Sequence, residues 1–369
     1  MDLLQTIEDL IRFRTETGNA AEIAKAAEYI KNKFVGTAAK VEIFQTIASP
    51  VVFIRNTDSF DFDVVVLGHI DVVPAADEMF EPLIKDGKMY GRGTLDMKSF
   101  AAVALNSMEY AIRNNLRLKF GIILSTDEEK GSKSTESFME AYPQISARIV
   151  LDNDVGGDIT KIVSKCKNPV FVKIMAHGKE AHGSTPWEGI DANELLMKTW
   201  ANIRKIYPYF AADLPQPTDT WFDTVHFAKI EGGQVSNIIS NYAEALLDFR
   251  LTENSSVENL EKNLQQCLEP GVEYKIVSAS TPVVMDENNP DILDYKRFAE
   301  NIMGKPIEFE HIGGATDSRS FAVKGSTVIM HSGTGEGMHA SGEYVEIESV
   351  KQIADIQIKF LQHLAQKIA

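Results

Sequence analysis

The sequence predicts an α/β protein in which a smaller domain of β-α-β-β-α-β order interrupts a larger one. Three observations carry that prediction. The chain has 369 residues, more than a single core of about 100 to 200 residues ordinarily accounts for. Strand-sized apolar runs alternate with helical patterns over residues 1–166 and again over 282–369. Between them, residues 167–281 change character and follow the order of the split β-α-β sandwich.

The elements follow in order. Residues 1–34 read as two helices; the opening MDLLQTIEDLIRF sets apolar residues at helical spacing among Asp2, Glu8 and Asp9 and lacks the basic start and long apolar core of a secretory signal. VEIFQTI, VVFIRN and DVVVLGHI are β-rich runs. A helix over Ser99–Asn114 comes next, then the buried strand KFGIILSTDEE, a helix around Ser134–Ala141 and the third buried run RIVLDND. The interrupting segment reads PVFVKIMAHG (β), DANELLMKTWANIRKIY (α), WFDTVHFAKIEGG (β), NYAEALLDFRL (β), SVENLEKNLQQCL (α) and VEYKIVSA (β). The α/β pattern resumes with the helix DILDYKRFAENIMG, the strand GSTVIMHSG and an amphipathic helix over residues 346–369.

Composition excludes several classes of function. With 37 basic against 53 acidic residues the net charge is -16, which opposes phosphate backbones and anionic membranes, so neither nucleic acid nor membrane is expected as a partner. No apolar run approaches the roughly 18 residues of a spanning helix. The only cysteines are Cys166 and Cys267, too few to staple a chain of this size, and a reducing cytoplasm is the expected compartment.

Polar residues gather where the apolar runs stop, which in an open α/β sheet is where ligands bind. At the first such end, in GHIDVVP, side chains two apart share a strand face, so Asp71 can accept the proton of the second ring nitrogen of His69 and fix the tautomer that ligates a metal. Alone, this pair reads better as strand-end capping than as a ligand with its orienter. In GRGTLDMKS two glycines leave room around Asp96, whose oxygens can bridge two cations; on its own, a helix cap is the better reading of Asp96. TDEEKGS places three acids in succession, and Glu128 and Glu129, pointing apart, suit a division between metal binding and proton transfer without spacing alone saying which does which. After the third run, Asp152, Asp154 and Asp158 are alternatives as ligand or turn former. His182 and His339 lie in loops. Taken together, His69, Asp96, Glu129, an Asp near 152 and His339 form an N/O donor set free of thiolate, appropriate to zinc or a similar divalent ion.

HIDVVP, GRGTLDMKS, TDEEKGS, GKEAHGSTPWEGIDAN and GMHASGE occur in an order that resembles the di-zinc metallopeptidases and deacylases typified by carboxypeptidase G, acetylornithine deacetylase, succinyl-diaminopimelate desuccinylase and carnosinase-type dipeptidases. The resemblance implies a zinc-peptidase-like catalytic domain with a central mixed sheet flanked by helices, built from residues 1–166 and 282–369, and a ferredoxin-like lid and dimerisation domain over 167–281. It implies two Zn2+ per subunit, with Co2+ or Mn2+ as alternatives, held by His69, Asp96, Glu129, Asp152 and His339. Asp71 would orient His69, Glu128 would be the general base, and the partner subunit's His182 would stabilise the oxyanion. Asn237, Arg250 and the loop Gly313–Asp317, with Gly314 and Thr316, are similar to positions that line or grip substrate. The implied reaction is hydrolysis of an amide in a small peptide or N-acyl amino acid by a metal-activated water in a homodimer. Asp-Asn at 152–153, where many deacylases have Glu-Pro, looks more like the dipeptidase branch. The alternative from another class is a non-catalytic metal-binding scaffold that retains the fold, and the presence of Glu128 and His182 argues against it.

Overall fold

The computed structural model describes residues 1–207 and 220–368. They cluster into two compact units. One comprises Met1–Ser164, Met285–Glu310 and the chain from Thr316 onward; the other comprises Lys165–Val284 and His311–Ala315. Residues 311–315, assigned from sequence to the third segment, thus cluster with the second unit, where the Lys167 N–H donates to Ile312 O at 3.3 Å.

In the first unit a mixed sheet runs, in spatial order, Lys40–Phe44, Val51–Arg55, Phe120–Ser125, Asp61–His69, Ser146–Asp152 and Thr327–Met330. The last four are parallel to one another; Lys40–Phe44 and Val51–Arg55 pair antiparallel at one side, and Lys161–Cys166 meets Thr327–Met330 antiparallel at the other. Val51–Arg55 and Phe120–Ser125 are buried at every position, as expected of strands covered on both faces and of sequences apolar throughout rather than alternating. Helix Lys98–Arg113 packs against Leu3–Arg12 and Ile347–Ile368, contributing Phe100, Val103, Leu105 and Met108 to a core shared with Ile353, Phe360 and Leu364. The terminal helix expected over 346–369 is Ile347–Ile368; Ala369 lies outside the described residues.

A second, small sheet of the first unit was not anticipated from sequence. Leu83–Lys85, Lys88–Tyr90, Tyr344–Glu346 and Gly335–Glu336 lie side by side, all antiparallel. Its first hairpin turns on Asp86 and Gly87, with φ of 51° and 76°, the positive pair that a two-residue turn between twisted strands demands. This sheet sets the loop bearing His339 alongside the segment that leads to Asp96.

The second unit has the predicted β-α-β-β-α-β order. Its sheet runs Thr224–Gly232, Tyr242–Leu251, Asn168–His177, Val272–Ala279, antiparallel throughout. Val170, Val172, Ile174 and Ala176 alternate with less buried residues along one strand and pack with Leu196, Trp200, Ile203, Leu260 and Leu264 of the helices Ala192–Ile206 and Val257–Cys267. One face therefore carries both helices, the arrangement that period-two burial requires. No helix among the described residues is long and apolar enough to cross a membrane.

Candidate metal centre and active site

Neighbouring parallel strands end together, and the candidate site of the first unit lies just beyond their carboxyl ends. His69 ends its strand opposite Ser125, while Leu67 of the same strand pairs with Asp152. His69 is fully buried. Its Nδ1 lies 3.0 Å from the main-chain oxygen of Asp71 and 3.4 Å from that residue's carboxylate. Because the nearer partner is a carbonyl oxygen, which can only accept, Nδ1 carries a proton and Nε2 is the ring atom turned toward Asp96. The sequence reading gave this task to the Asp71 carboxylate; the nearer group is its main chain. The carboxylate accepts instead from the Thr17 hydroxyl at 2.7 Å and from the N–H groups of Glu128 at 3.1 Å and Glu129 at 3.3 Å. Asp71 therefore braces His69 and the acidic loop together.

Asp96 occupies the centre. One oxygen is 2.9 Å from His69 Nε2 and the other 2.8 Å from His339 Nε2. The helix after it starts at Lys98 with Met97 in the cap position and no side-chain capping bond, so the capping alternative for Asp96 does not hold. His339 Nε2 also lies 3.0 Å from Glu129, and Asp154 lies 3.7 Å from His69 Nε2. Two three-residue groups result, His69–Asp96–Asp154 and Asp96–Glu129–His339, each with one donor atom per residue within 4.8 Å of the others.

Of the acids after the third run, Asp154 is the one whose carboxylate lies with His69 and Asp96. Asp152 is buried with its carboxylate occupied by the Thr316 hydroxyl and, at 2.9 Å, by the Asp154 N–H. It serves as the turn former that aims Asp154. Thr316, expected to line substrate, is likewise a buried support of that turn.

Electrostatics mark the cluster as one built around positive charge. Burial, reinforced by Asp154, pushes Glu128 up to about 9. Burial and Asp96 raise Glu129 to about 7, and burial raises Asp154 to about 6 against the pull of His69. Asp96 is held below the usual carboxylate range, in spite of burial, by His339 and His69. Glu129 Oε1 is buried without a hydrogen-bond partner, and His69 Nε2 faces an Asp96 oxygen at 2.9 Å, its partner a carboxylate that with the other acids favours the protonated ring. A divalent cation would satisfy the orphan Glu129 oxygen and take the place of the proton that His69 holds against these acids, so the two donor groups, which share Asp96, fit such ions.

In the second unit, His182 and Asn237 come together. The backbone of His182 pairs with Ile238, and the Gly183 N–H donates to Asn237 O at 2.8 Å. Both residues are exposed. The Ser184 N–H donates to His182 Nδ1 at 3.1 Å, with the Ser184 hydroxyl at 2.7 Å, so the neutral ring carries its proton on Nε2. Arg250 is spoken for within its own strand, donating from Nε and Nη2 to the two Asp248 oxygens at 2.9 and 3.0 Å. Gly314 is exposed.

Sequence reasoning missed Thr17 and Glu343. Nothing near Thr17 signals its bond to Asp71. Glu343 stands inside the GMHASGE motif, yet only the fold shows that it is fully buried and bound to the backbone leading to Asp96.

The sequence pattern of peptidase family M20/M25/M40 matches residues 65–363. The chain is 26% identical to an uncharacterized metallohydrolase of Methanocaldococcus jannaschii, over 98% of this chain and 100% of that one. It is 26% identical to acetylornithine deacetylase of Shigella sonnei, over 80% and 79%. Among solved structures, the M20 family metallo-carboxypeptidase Sso-CP2 from Sulfolobus solfataricus has the same fold, with a TM-score of 0.81 at 18% identity over 99% of this chain and 100% of that one. The match covers most of the chain and takes in every residue of both ligand groups, so the protein belongs to peptidase family M20/M25/M40 and is a metallohydrolase of it.

Proposed function

We propose that this chain hydrolyses an amide bond in a small peptide or N-acyl amino acid, using two zinc ions and Glu128 as general base. The observation that carries the reading is Asp96, whose two oxygens each face the imidazole of a different three-ligand group. His69, Asp96 and Asp154 would hold one ion, and Asp96, Glu129 and His339 the other. When bound, such ions supply Lewis-acid activation of water and of the amide carbonyl. The residues of the chain do the rest. Glu128 is half-buried, and its N–H, with that of Glu129, is tethered to Asp71. Burial and Asp154 favour the protonated form of Glu128; two cations beside it would reverse that and leave a carboxylate able to take the proton of the attacking water and pass it to the nitrogen of the departing amine. The Nε2–H of His182 donates to the oxygen that becomes negative as the carbonyl turns tetrahedral. Arg250 and Asn237 bind the substrate carboxylate, Arg250 sharing its guanidinium with Asp248.

The reading includes a homodimer formed through the second unit, with the partner subunit's His182 completing each site, and a reducing, cytoplasmic compartment in keeping with a chain of only two cysteines, both buried. Metal analysis after dialysis against trace zinc, with amide hydrolysis followed in parallel on dipeptides, N-acetyl and N-succinyl amino acids, tests it. About two ions per chain, lost together with hydrolysis on chelation and restored with it, is the expected result. A chain without metal under those conditions, or hydrolysis indifferent to chelation, overturns it.

A further inference from the structure

Asp96 and His339 lie 243 residues apart, on two irregular loops that backbone ladders alone do not fix. Between those loops sits the Glu343 side chain, fully buried. One carboxylate oxygen accepts from the N–H groups of Leu95 at 2.8 Å, Asp96 at 3.1 Å and Gly93 at 3.1 Å. The other accepts from Arg92 Nη1 at 2.6 Å and shares the Gly93 N–H at 3.1 Å. Arg92, itself buried, donates from Nη2 to Ala340 O at 3.2 Å, next to His339, and the Gly91 N–H donates to Glu343 O at 3.1 Å. The backbone from Gly93 to Asp96 is thus a concave row of N–H groups, the kind of nest that binds an anion, and here the anion is the chain's own. Gly93 has φ of 87°, and a Cβ there would stand 2.9 Å from Lys98, so the nest depends on glycine at that position.

We propose that Glu343 is a positioning residue of the metal centre. By filling the nest it locks the Asp96 loop to the His339 loop, and so sets metal affinity at both ligand groups without touching either ion. The inference rests on the metal reading above. A carboxylate is needed because the donors outnumber what one oxygen accepts: an amide of the same shape would turn an NH2 either toward Arg92 or toward the row of N–H groups.

The test uses full-length protein stripped of metal and titrated with Zn2+ against a chromophoric chelator, and with Co2+ by visible absorption. Wild type is compared with Glu343→Gln, Glu343→Asp and Arg92→Lys, all well below the lowest melting temperature of the stripped proteins. Partners that orient ligands typically govern affinity by about 10- to 100-fold. We expect a loss in that range for Glu343→Gln, with an altered cobalt spectrum, and partial recovery in Glu343→Asp, which keeps the charge. Arg92→Lys, which loses the fork but keeps the charge, should fall between them and decides the matter if Glu343→Gln does not fold. Folded variants that bind both metals with wild-type affinity and spectrum overturn the inference, because a merely structural role would lower the melting temperature and leave the titration unmoved. Wild type that binds no metal overturns the metal reading itself, a result distinct from equal binding by wild type and variants.

Discussion

The candidate residues of the two units are held in opposite ways. In the first unit, candidate ligands from five separate segments are brought to one point, and three of them are tied by a partner that is itself buried: His69 by Asp71, Asp96 by Glu343, and Asp154 by Asp152, which Thr316 holds in turn. In the second unit, His182 and Asn237 are exposed, held by a short backbone ladder and by Ser184. A metal centre requires its donors within a few tenths of an ångström, and only a dense lattice of buried contacts supplies that. A group that donates one hydrogen bond to a passing charge needs only the right tautomer. Damage in the first unit should therefore be nearly all-or-none, and damage in the second graded.

The sharpest break of that contrast is Asp96→Asn. Because Asp96 belongs to both ligand groups, both ions and all hydrolysis above background should be lost, as read by metal analysis and amide turnover; two retained ions would show that Asp96 is not shared. Glu128→Gln comes next. It should keep both ions yet lower kcat by roughly 10²- to 10⁴-fold, the usual contribution of a positioned base, and near wild-type turnover would remove Glu128 from the mechanism.

The same contrast explains what could be read in advance. The strands of the large sheet from Lys40–Phe44 to Thr327–Met330, the inserted β-α-β-β-α-β unit and its helices were readable because their apolar periods are long and undisturbed, whereas Lys161–Cys166, which joins the same sheet, was not read. His69, Asp96 and Glu129 stand where such periods stop, beside glycine or another acid, whereas His339 lies in a loop and drew notice only as one of a set of donors in a familiar order of motifs. The small sheet was not, since its strands are two or three residues long and carry no period, although the Asp86–Gly87 pair is a hairpin signal that could have been used. Asp152 and Asp154 could not be separated, because two residues of spacing say nothing about which carboxylate a threonine 164 residues away will take. Glu343 was hidden for the same reason: its partners are backbone N–H groups about 250 residues distant, and a backbone group leaves no mark in a sequence.

In the second unit, His182→Ala should retain both ions and lower kcat by roughly 10²- to 10³-fold, the loss typical of a single oxyanion donor. Mixing that variant with Glu128→Gln under subunit exchange sharpens the point. If the histidine serves across a dimer, mixed dimers regain one complete site and activity returns, whereas two inactive parents that stay inactive when mixed place His182 in its own subunit's site or in none.

A stability measurement sets the rigid interior of the first unit against the same standard. His331 is buried between the Tyr295 hydroxyl at 3.2 Å and Ile159 O at 2.7 Å, and burial lowers it from 6.5 to about 4. The unfolded chain therefore takes up a proton between those values that the folded chain refuses. Stability should fall as pH drops from about 6.5 to about 4 and then level off, by at most about 3 kcal/mol from this group. Urea unfolding at pH 7.5 and pH 5 should show a smaller acid loss in His331→Gln than in wild type; equal losses would assign the acid sensitivity elsewhere.

The smallest effect expected is at Arg250. Its guanidinium already spans both oxygens of Asp248, so a substrate carboxylate would gain only the fraction of the charge that Asp248 leaves uncompensated, and it would do so on a half-exposed side chain. Arg250→Ala should raise KM on carboxylate-bearing substrates by about 10-fold or less, near the 1.4 kcal/mol of one modest charged hydrogen bond, and leave kcat and metal content unchanged. Asp248→Asn should act in the opposite sense by freeing the guanidinium. An unchanged KM in Arg250→Ala, with Asp248→Asn equally silent, would make the pair a structural clasp of its strand, and the grip on the carboxylate would then have to come from Asn237 or from the Gly313–Asp317 loop.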